Sequence, residues 1–174
     1  MKLPDSLELH GPRLKFVNGA HSNFQEIQKI LNDEITMQYL QFLMRKNEGG
    51  WTLDPLIERH QKRREKQAEG VGLFFDVYEI ATSRFVGTAG FPSLELDHRR
   101  GEFGLILNRN FWRNGFGTQC HLIGLSYAFE TLNLNRVEFL TSIKNTPLRK
   151  FYDKVGIAQE SIRKQYYLEN GGFV

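Results

Sequence analysis

The sequence predicts an α/β domain of the α+β kind, in which a mixed, largely antiparallel sheet carries helices on both faces. Three observations predict it. After Gly70 the apolar period shortens, and residues 71–80, 85–91 and 100–107 are β-rich segments separated by short polar turns, the pattern of an antiparallel meander. A helical stretch at 115–133 then leads to an alternating segment at 136–143, which makes 100–107 and 136–143 a parallel pair joined by a right-handed crossover. Ahead of the meander, three segments repeat apolar residues or caps at helical spacing.

In chain order, Arg13 to Val17 alternates and reads as a short strand. Ser22 and Gln25 have the spacing of a capping box, and Phe24, Ile27, Ile30 and Leu31 follow at helical intervals. A second apolar-rich helix covers 34–45 and ends at Gly49–Gly50. Asp54–Pro55 opens a third, with Asp as cap and Pro at the first helical position, and this helix stops near Gly70. In 115–133, Leu122, Leu125, Phe129 and Leu132 share a face. Val137, Phe139, Thr141 and Ile143 alternate in the next strand. Thr146–Pro147 begins a short helix with Leu148, Phe151 and Val155 inward and Gly156 as a left-handed stop. Residues 157–168 read as a last strand.

The 174 residues fit one domain, 1–174, with core enough to fold without staples. One cysteine, Cys120, excludes an internal disulfide framework and points to a reducing compartment. Residues 1–11 hold no apolar run of the signal-peptide kind, and no stretch approaches the roughly 20 apolar residues of a membrane span. A soluble cytoplasmic protein with no membrane partner is the expectation. Net charge is +3, too little to imply a nucleic-acid partner. His10, His21, His60 and His98 show no ligand spacing, so no metal is expected. Cys120 and His121 are adjacent on a helix and point apart, which argues against a catalytic dyad. The run 62–66 reads as a solvated helix face with internal ion pairs.

The stretch from Trp112 to Thr118 lies between a strand and a helix, with Gly115 and Gly117 free to turn backbone N–H groups toward one point. With the helix dipole behind it, such a turn suits a pyrophosphate; a plain tight turn is the competing reading. A Walker loop is excluded because no Gly-Lys-Ser/Thr stands at the required spacing. A dinucleotide fingerprint would need Gly or Ala where Cys120 stands. Downstream, Asn145, Leu148, Tyr152 and Gly156–Ile157 sit on or beside the short helix, where a tyrosine hydroxyl can face the cleft beyond the parallel strands.

Together these residues resemble the GNAT N-acetyltransferase superfamily. Its first pattern is matched by Trp112-Arg-Asn-Gly115-Phe-Gly117, and its second by Asn145-Thr-Pro-Leu148-Arg-Lys-Phe-Tyr152-Asp-Lys-Val-Gly156-Ile157. Trp112 stands where Gln or Arg is usual, and Ile157 where Phe is usual. The Arg13-Leu-Lys opening, Glu102 to Leu107 and Phe111–Trp112 look like its RimJ/RimL branch. The resemblance implies a sheet splayed in its middle and acetyl-CoA as cosubstrate. It implies that Leu105, Ile106 and Leu107 pair with the pantetheine, that Arg113, Asn114, Gly115, Phe116, Gly117 and Thr118 hold the pyrophosphate, and that Asn145 contacts the pantetheine. Tyr152 would protonate the departing thiolate, and Glu102 is the candidate base for the incoming ammonium.

The implied acceptor is a protein N-terminal amine first, a small-molecule amine or amino acid second. A non-catalytic acyl-CoA-binding module and a nucleotide-binding protein are the rivals. Tyr39 and Phe42 are candidates for the acceptor cleft. Family members add a strand after the glycine hairpin, so a sheet completed differently, by a homodimer partner for instance, is an alternative to a monomer here.

Overall fold

The protein is described from a computed structural model over residues 3–4, 6–18, 23–40, 50–169 and 172–173. Ser22, His21, Phe42, Leu43, Gly49 and Gly171 lie outside these residues, as does the 41–45 portion of the second expected helix.

Six strands form one sheet in sequence order: β1 (Glu8–His10), β2 (Leu14–Asn18), β3 (Leu73–Glu79), β4 (Phe85–Glu95), β5 (Arg100–Leu107) and β6 (Arg136–Glu138). β1 to β5 are antiparallel neighbours and β6 runs parallel to β5. The parallel pairing is short. It joins Arg100 to Arg136, Gly101 to Val137 and Glu102 to Glu138, and there it ends. Among the described residues nothing pairs with β5 on the β6 side from Phe103 to Leu107, so the sheet splays and leaves that edge of β5 without a strand. β6 was expected to run to Ile143. It stops at Glu138 because the next residue, Phe139, turns its ring onto Phe103, His121 and Tyr152 instead of following β5.

Helices α1 (Phe24–Asn32), α2 (Glu34–Met37) and α3 (Leu53–Ala68) cover one face of the sheet. α4 (Phe116–Ser126), which continues as a π turn over Tyr127–Thr131, covers the other. The cap of α3 is Thr52, not Asp54, which moves Pro55 two residues further into the first turn. The larger core lies between the sheet and α4, where Phe16, Phe75, Phe91, Phe103 and Phe116 are almost wholly buried. Each such ring contributes roughly 1.5–3 kcal/mol by leaving water. A smaller cluster of Leu31, Met37, Trp51 and Leu56 lies under α1–α3 and packs against Ile106.

Two inward faces differ from expectation. α4 buries Cys120, Gly124 and Ala128, while Leu122 and Phe129 are 63% and 46% exposed. The small residues form a ridge at i, i+4 and i+8, and a Cβ at Gly124 would stand 2.4 Å from the Phe103 ring. Ring-to-helix contact this close requires the small ridge inward and turns Leu122 and Phe129 out, while Ile123, Tyr127 and the expected Leu132 stay buried. Val155, expected inside, is exposed at the end of α5 (Thr146–Lys154). Residues 157–167 form no strand, because β6 has already left the sheet edge that would pair with them. Among the described residues β7 (Leu168–Glu169) pairs only with β8 (Gly172–Phe173).

Candidate active site

The glycine turn closes on α4 from three directions. Arg113 and Gly115 both adopt left-handed backbone, at φ of 60° and 77°. Gly115 is the N-cap of α4 and supplies no side-chain acceptor, so the first-turn N–H groups of Phe116, Gly117 and Thr118 have no helical partner. The turn is held by Arg13, whose Nη1 donates to the Asn114 carbonyl at 2.9 Å and whose guanidinium lies 4.4 Å over the Phe116 ring. The Trp112 indole donates to the Leu107 carbonyl at 2.9 Å, tying the turn to β5. A Cβ at Gly115 or Gly117 would meet nothing within 4 Å, so there is open space beside the turn at both glycines.

Beyond the splay, Asn145 caps α5: its Oδ1 accepts from the Leu148 N–H at 3.3 Å and its Nδ2 donates to Thr141 at 3.1 Å. Asn145 therefore already has a structural task at the position where the resemblance implies a ligand contact. Gly156 ends α5 in the left-handed conformation, as expected. Tyr152 is half-buried on α5 among the rings of Phe139, Phe151 and His121, at centroid distances of 5.2, 5.8 and 5.6 Å. Burial pushes its phenol well above the ordinary tyrosine value, so the hydroxyl is protonated throughout the physiological range.

The sequence suggested His121 only as a dyad partner of Cys120, a reading it also argued against, and not as a neighbour of Tyr152. His121 is buried, with Nδ1 2.7 Å from the Gly117 carbonyl and Nε2 3.4 Å from the Tyr152 hydroxyl. A carbonyl only accepts, so Nδ1 carries the proton. Burial lowers the imidazole's proton affinity, partly offset by the Gly117 bond, which leaves Nε2 as an acceptor facing Tyr152. Its neighbour Cys120 is inert, its thiol pushed up to about 12 by burial.

Glu102 lies on the other face of β5. Alternation places Glu102, Gly104 and Ile106 toward α1–α3, and Phe103, Leu105 and Leu107 toward α4. Burial raises the Glu102 carboxyl above its ordinary value; Arg163 opposes this and Glu138 adds to it. No hydrogen bond joins Glu102 to Tyr152 among the described residues. Gly104, next on the Glu102 face, lies at the splay, where an added Cβ would meet nothing within 4 Å.

A cleft of about 760 Å³ opens between residues 136–144, α5 and residues 157–167, and Tyr39, Phe139 and Tyr152 are among its walls. That volume falls in the range of small-molecule sites. Among the described residues no group of three or more His, Cys, Asp or Glu could hold a metal ion, and no helix is long and apolar enough to cross a membrane.

Comparison with known proteins agrees with this arrangement. The chain is 29% identical over 140 residues to the uncharacterized N-acetyltransferase YoaA of Bacillus subtilis, covering 80% of this chain and 76% of that one. Its fold superposes on a RimL ribosomal α-N-protein acetyltransferase with a TM-score of 0.80 at 11% identity, covering 97% and 90% of the two chains. It superposes on the spermidine N-acetyltransferase of Vibrio cholerae, solved with CoA and spermine, with a TM-score of 0.78 at 20% identity, covering 94% and 91%. Residues 13–158 match the acetyltransferase (GNAT) domain, and the chain belongs to that family of N-acetyltransferases.

Proposed function

We propose that the splay between β5 and β6 binds acetyl-CoA and that the protein transfers its acetyl group to a primary amine. The observation that carries this reading is the unpaired edge of β5 from Phe103 to Leu107, with the glycine turn at one end and Tyr152 at the other. Backbone groups of Leu105 and Ile106 are available to the pantetheine as to an added strand, while the Leu107 carbonyl is already taken by Trp112. The uncapped N–H groups of Phe116, Gly117 and Thr118, with Arg113 and Asn114 beside them, hold the pyrophosphate at the positive end of α4. Asn145 contacts the pantetheine through what its two present bonds leave free.

The thioester supplies an activated acetyl group. Tyr152, kept protonated by burial, donates its proton to the departing thiolate. Glu102 accepts the proton of the incoming ammonium, directly or through a water, and a backbone N–H near Ile106 faces the charge that develops on the thioester oxygen. No enzyme nucleophile is needed, consistent with the inert Cys120.

The acceptor is a protein N-terminal amine, in keeping with the RimJ/RimL-like residues at Arg13–Lys15 and 102–107. The pKa of an α-amine, about 8, leaves roughly a tenth of it deprotonated at pH 7, against less than a thousandth for a lysine-type amine near 10.4. A carboxylate base therefore has far less to do for the former. A small-molecule amine is the second reading, supported by the likeness to a spermidine acetyltransferase. We read the chain as one domain over 1–174, acting in the cytoplasm.

The test is a thermal melt with acetyl-CoA, using NAD and ATP as controls, followed by assay of free thiol release with amines. At ~100 times its dissociation constant the ligand adds about 2.7 kcal/mol. A shift with acetyl-CoA alone, and thiol release that needs an amine, supports the reading. A shift without release on any amine leaves an acyl-CoA-binding module, and a shift with NAD or ATP instead overturns the reading.

A further inference from the structure

The face of β5 that bears Glu102, Gly104 and Ile106 looks toward a second, small cavity that the mechanism does not use. Ile27 and Leu31 of α1 and Arg59 and Arg63 of α3 wall it, and Thr88 and Ile106 floor it. Its volume is about 20 Å³, room for one small polar group and no more.

The two arginines are one helical turn apart and point the same way. Aromatic rings hold them: the Arg59 guanidinium lies 5.3 Å from the Trp51 ring and that of Arg63 lies 4.8 Å from Phe74. Both are partly buried, and among the described residues neither forms a salt bridge or hydrogen bond. Burial pulls the Arg63 guanidinium down to about 9; the neighbouring Arg59 charge works in the same direction, and Asp76 opposes both. Among the described residues Asp76 is the carboxylate that acts on Arg63, and it already accepts from Asn23 Nδ2 at 2.9 Å. No wall of the cavity is acidic. Among the described residues two desolvated guanidiniums thus face one opposing carboxylate, and a planar fork of this kind matches a further carboxylate in two-point geometry.

We propose that Arg59 and Arg63 form a carboxylate subsite for the acceptor, so that the amine acetylated beside Ile106 carries a carboxylate a few bonds away. The proposal rests on the acetyl-transfer reading of the splay. It disfavours a polyamine, whose second ammonium would face two fixed cations. The carboxylate can be an acidic side chain at the start of a peptide or the α-carboxylate of a free amino acid.

Matched acceptor pairs separate these sources. Thiol release is measured with tetrapeptides beginning Asp or Asn and Glu or Gln, with leucine and leucinamide, and with spermidine. The charged member of the peptide pairs or of the leucine pair is expected to exceed its neutral partner by about tenfold or more in kcat/KM. That ratio should fall toward one in Arg63→Met and in Arg59→Met, with melts confirming which variant is folded. Equal rates within every pair, spermidine as the best acceptor, or a ratio that survives in both folded variants overturns the subsite.

If no acceptor releases thiol, it is the acetyl-transfer reading that has failed. The subsite is then decided by melts with N-acetyl-aspartate against N-acetyl-asparagine. A shift by the former alone, lost in Arg63→Met or Arg59→Met, supports it, and no difference between the two compounds overturns it.

Discussion

Tyr152 and His121 meet beside the splay, the hydroxyl 3.4 Å from an imidazole nitrogen whose opposite nitrogen is held 2.7 Å from the Gly117 carbonyl. The pair thus links the proposed acid to the backbone of the proposed pyrophosphate turn. Because Gly117 fixes the tautomer, Nε2 accepts from Tyr152 in the free protein, which holds the hydroxyl oxygen in place; its one proton then turns from Nε2 to the thiolate as coenzyme A departs. His121 is in this sense a positioning residue for Tyr152.

Tyr152→Phe is expected to lower kcat by about 10²- to 10⁴-fold while the acetyl-CoA melt shift persists. His121→Phe, which acts only through the tyrosine, should lose about tenfold, and the double variant should be no slower than Tyr152→Phe alone. Initial rates of thiol release on the four proteins check this. Additive losses would give His121 a role independent of Tyr152. Because burial raises the Tyr152 phenol, the parent should show no rate loss from its ionisation below the ordinary tyrosine value near 10.

Glu102 carries a stability prediction with a definite sign. Its folded-state pKa is raised, chiefly by burial, so the carboxylate is disfavoured in the folded protein. No such cost exists below the unfolded value, where both states are protonated; it grows as pH rises above that value and is complete once pH has passed the folded one. Glu102→Gln should therefore melt above the parent at pH 7, and the difference should vanish near pH 4. The acid limb of kcat/KM should inflect above the ordinary glutamate range and disappear in the same variant. Identical melts at pH 7 would show that ionised Glu102 costs the fold nothing.

The antiparallel meander, the crossover and both motif segments were legible because alternation, turn residues and caps are local signals. Gly115, Asn145 and Gly156 occupy the left-handed and capping positions their residue types suggest. The inward face of α4 was not legible, since periodicity weights large residues such as Leu122 and Phe129, whereas the Phe103 ring selects the small ridge at Gly124. The link from His121 to Tyr152 was not legible because its partners are a turn carbonyl and a tyrosine 31 residues away. Arg63 lies inside the run 62–66 expected to face solvent, yet it is turned inward over Phe74 while Lys62, Arg64, Glu65 and Lys66 stay exposed. Charge composition alone does not reveal which member of a basic run meets a ring on a distant strand.

Gly117 separates stability from binding. It lies in the first turn of α4, and an added Cβ meets nothing within 4 Å. Gly117→Ala should hold or raise the stability of the free protein, by up to ~1 kcal/mol from helix propensity. The same methyl stands in the open space proposed for the pyrophosphate, so the acetyl-CoA melt shift should shrink. A full shift in the variant would place the pyrophosphate elsewhere.

Gly124 offers the opposite case, where a methyl has no room. Its ideal Cβ would lie 2.4 Å from two atoms of the Phe103 ring, well inside any allowed contact. Phe103 is almost wholly buried and in turn packs on Phe91 at 5.1 Å and His121 at 6.1 Å, so it has no free direction in which to retreat. Either α4 lifts from β5 or the ring leaves its rotamer; overpacking of this kind costs about 1–3 kcal/mol. Helix propensity returns at most ~1 kcal/mol, so the net effect of Gly124→Ala is a loss. For a domain of this size each kilocalorie moves the melt by about 2–4 °C or somewhat more. The displaced ring also presses on His121, so thiol release should fall even where the variant remains folded. Gly124→Ala melting at or above the parent would show that α4 does not depend on this close approach to β5.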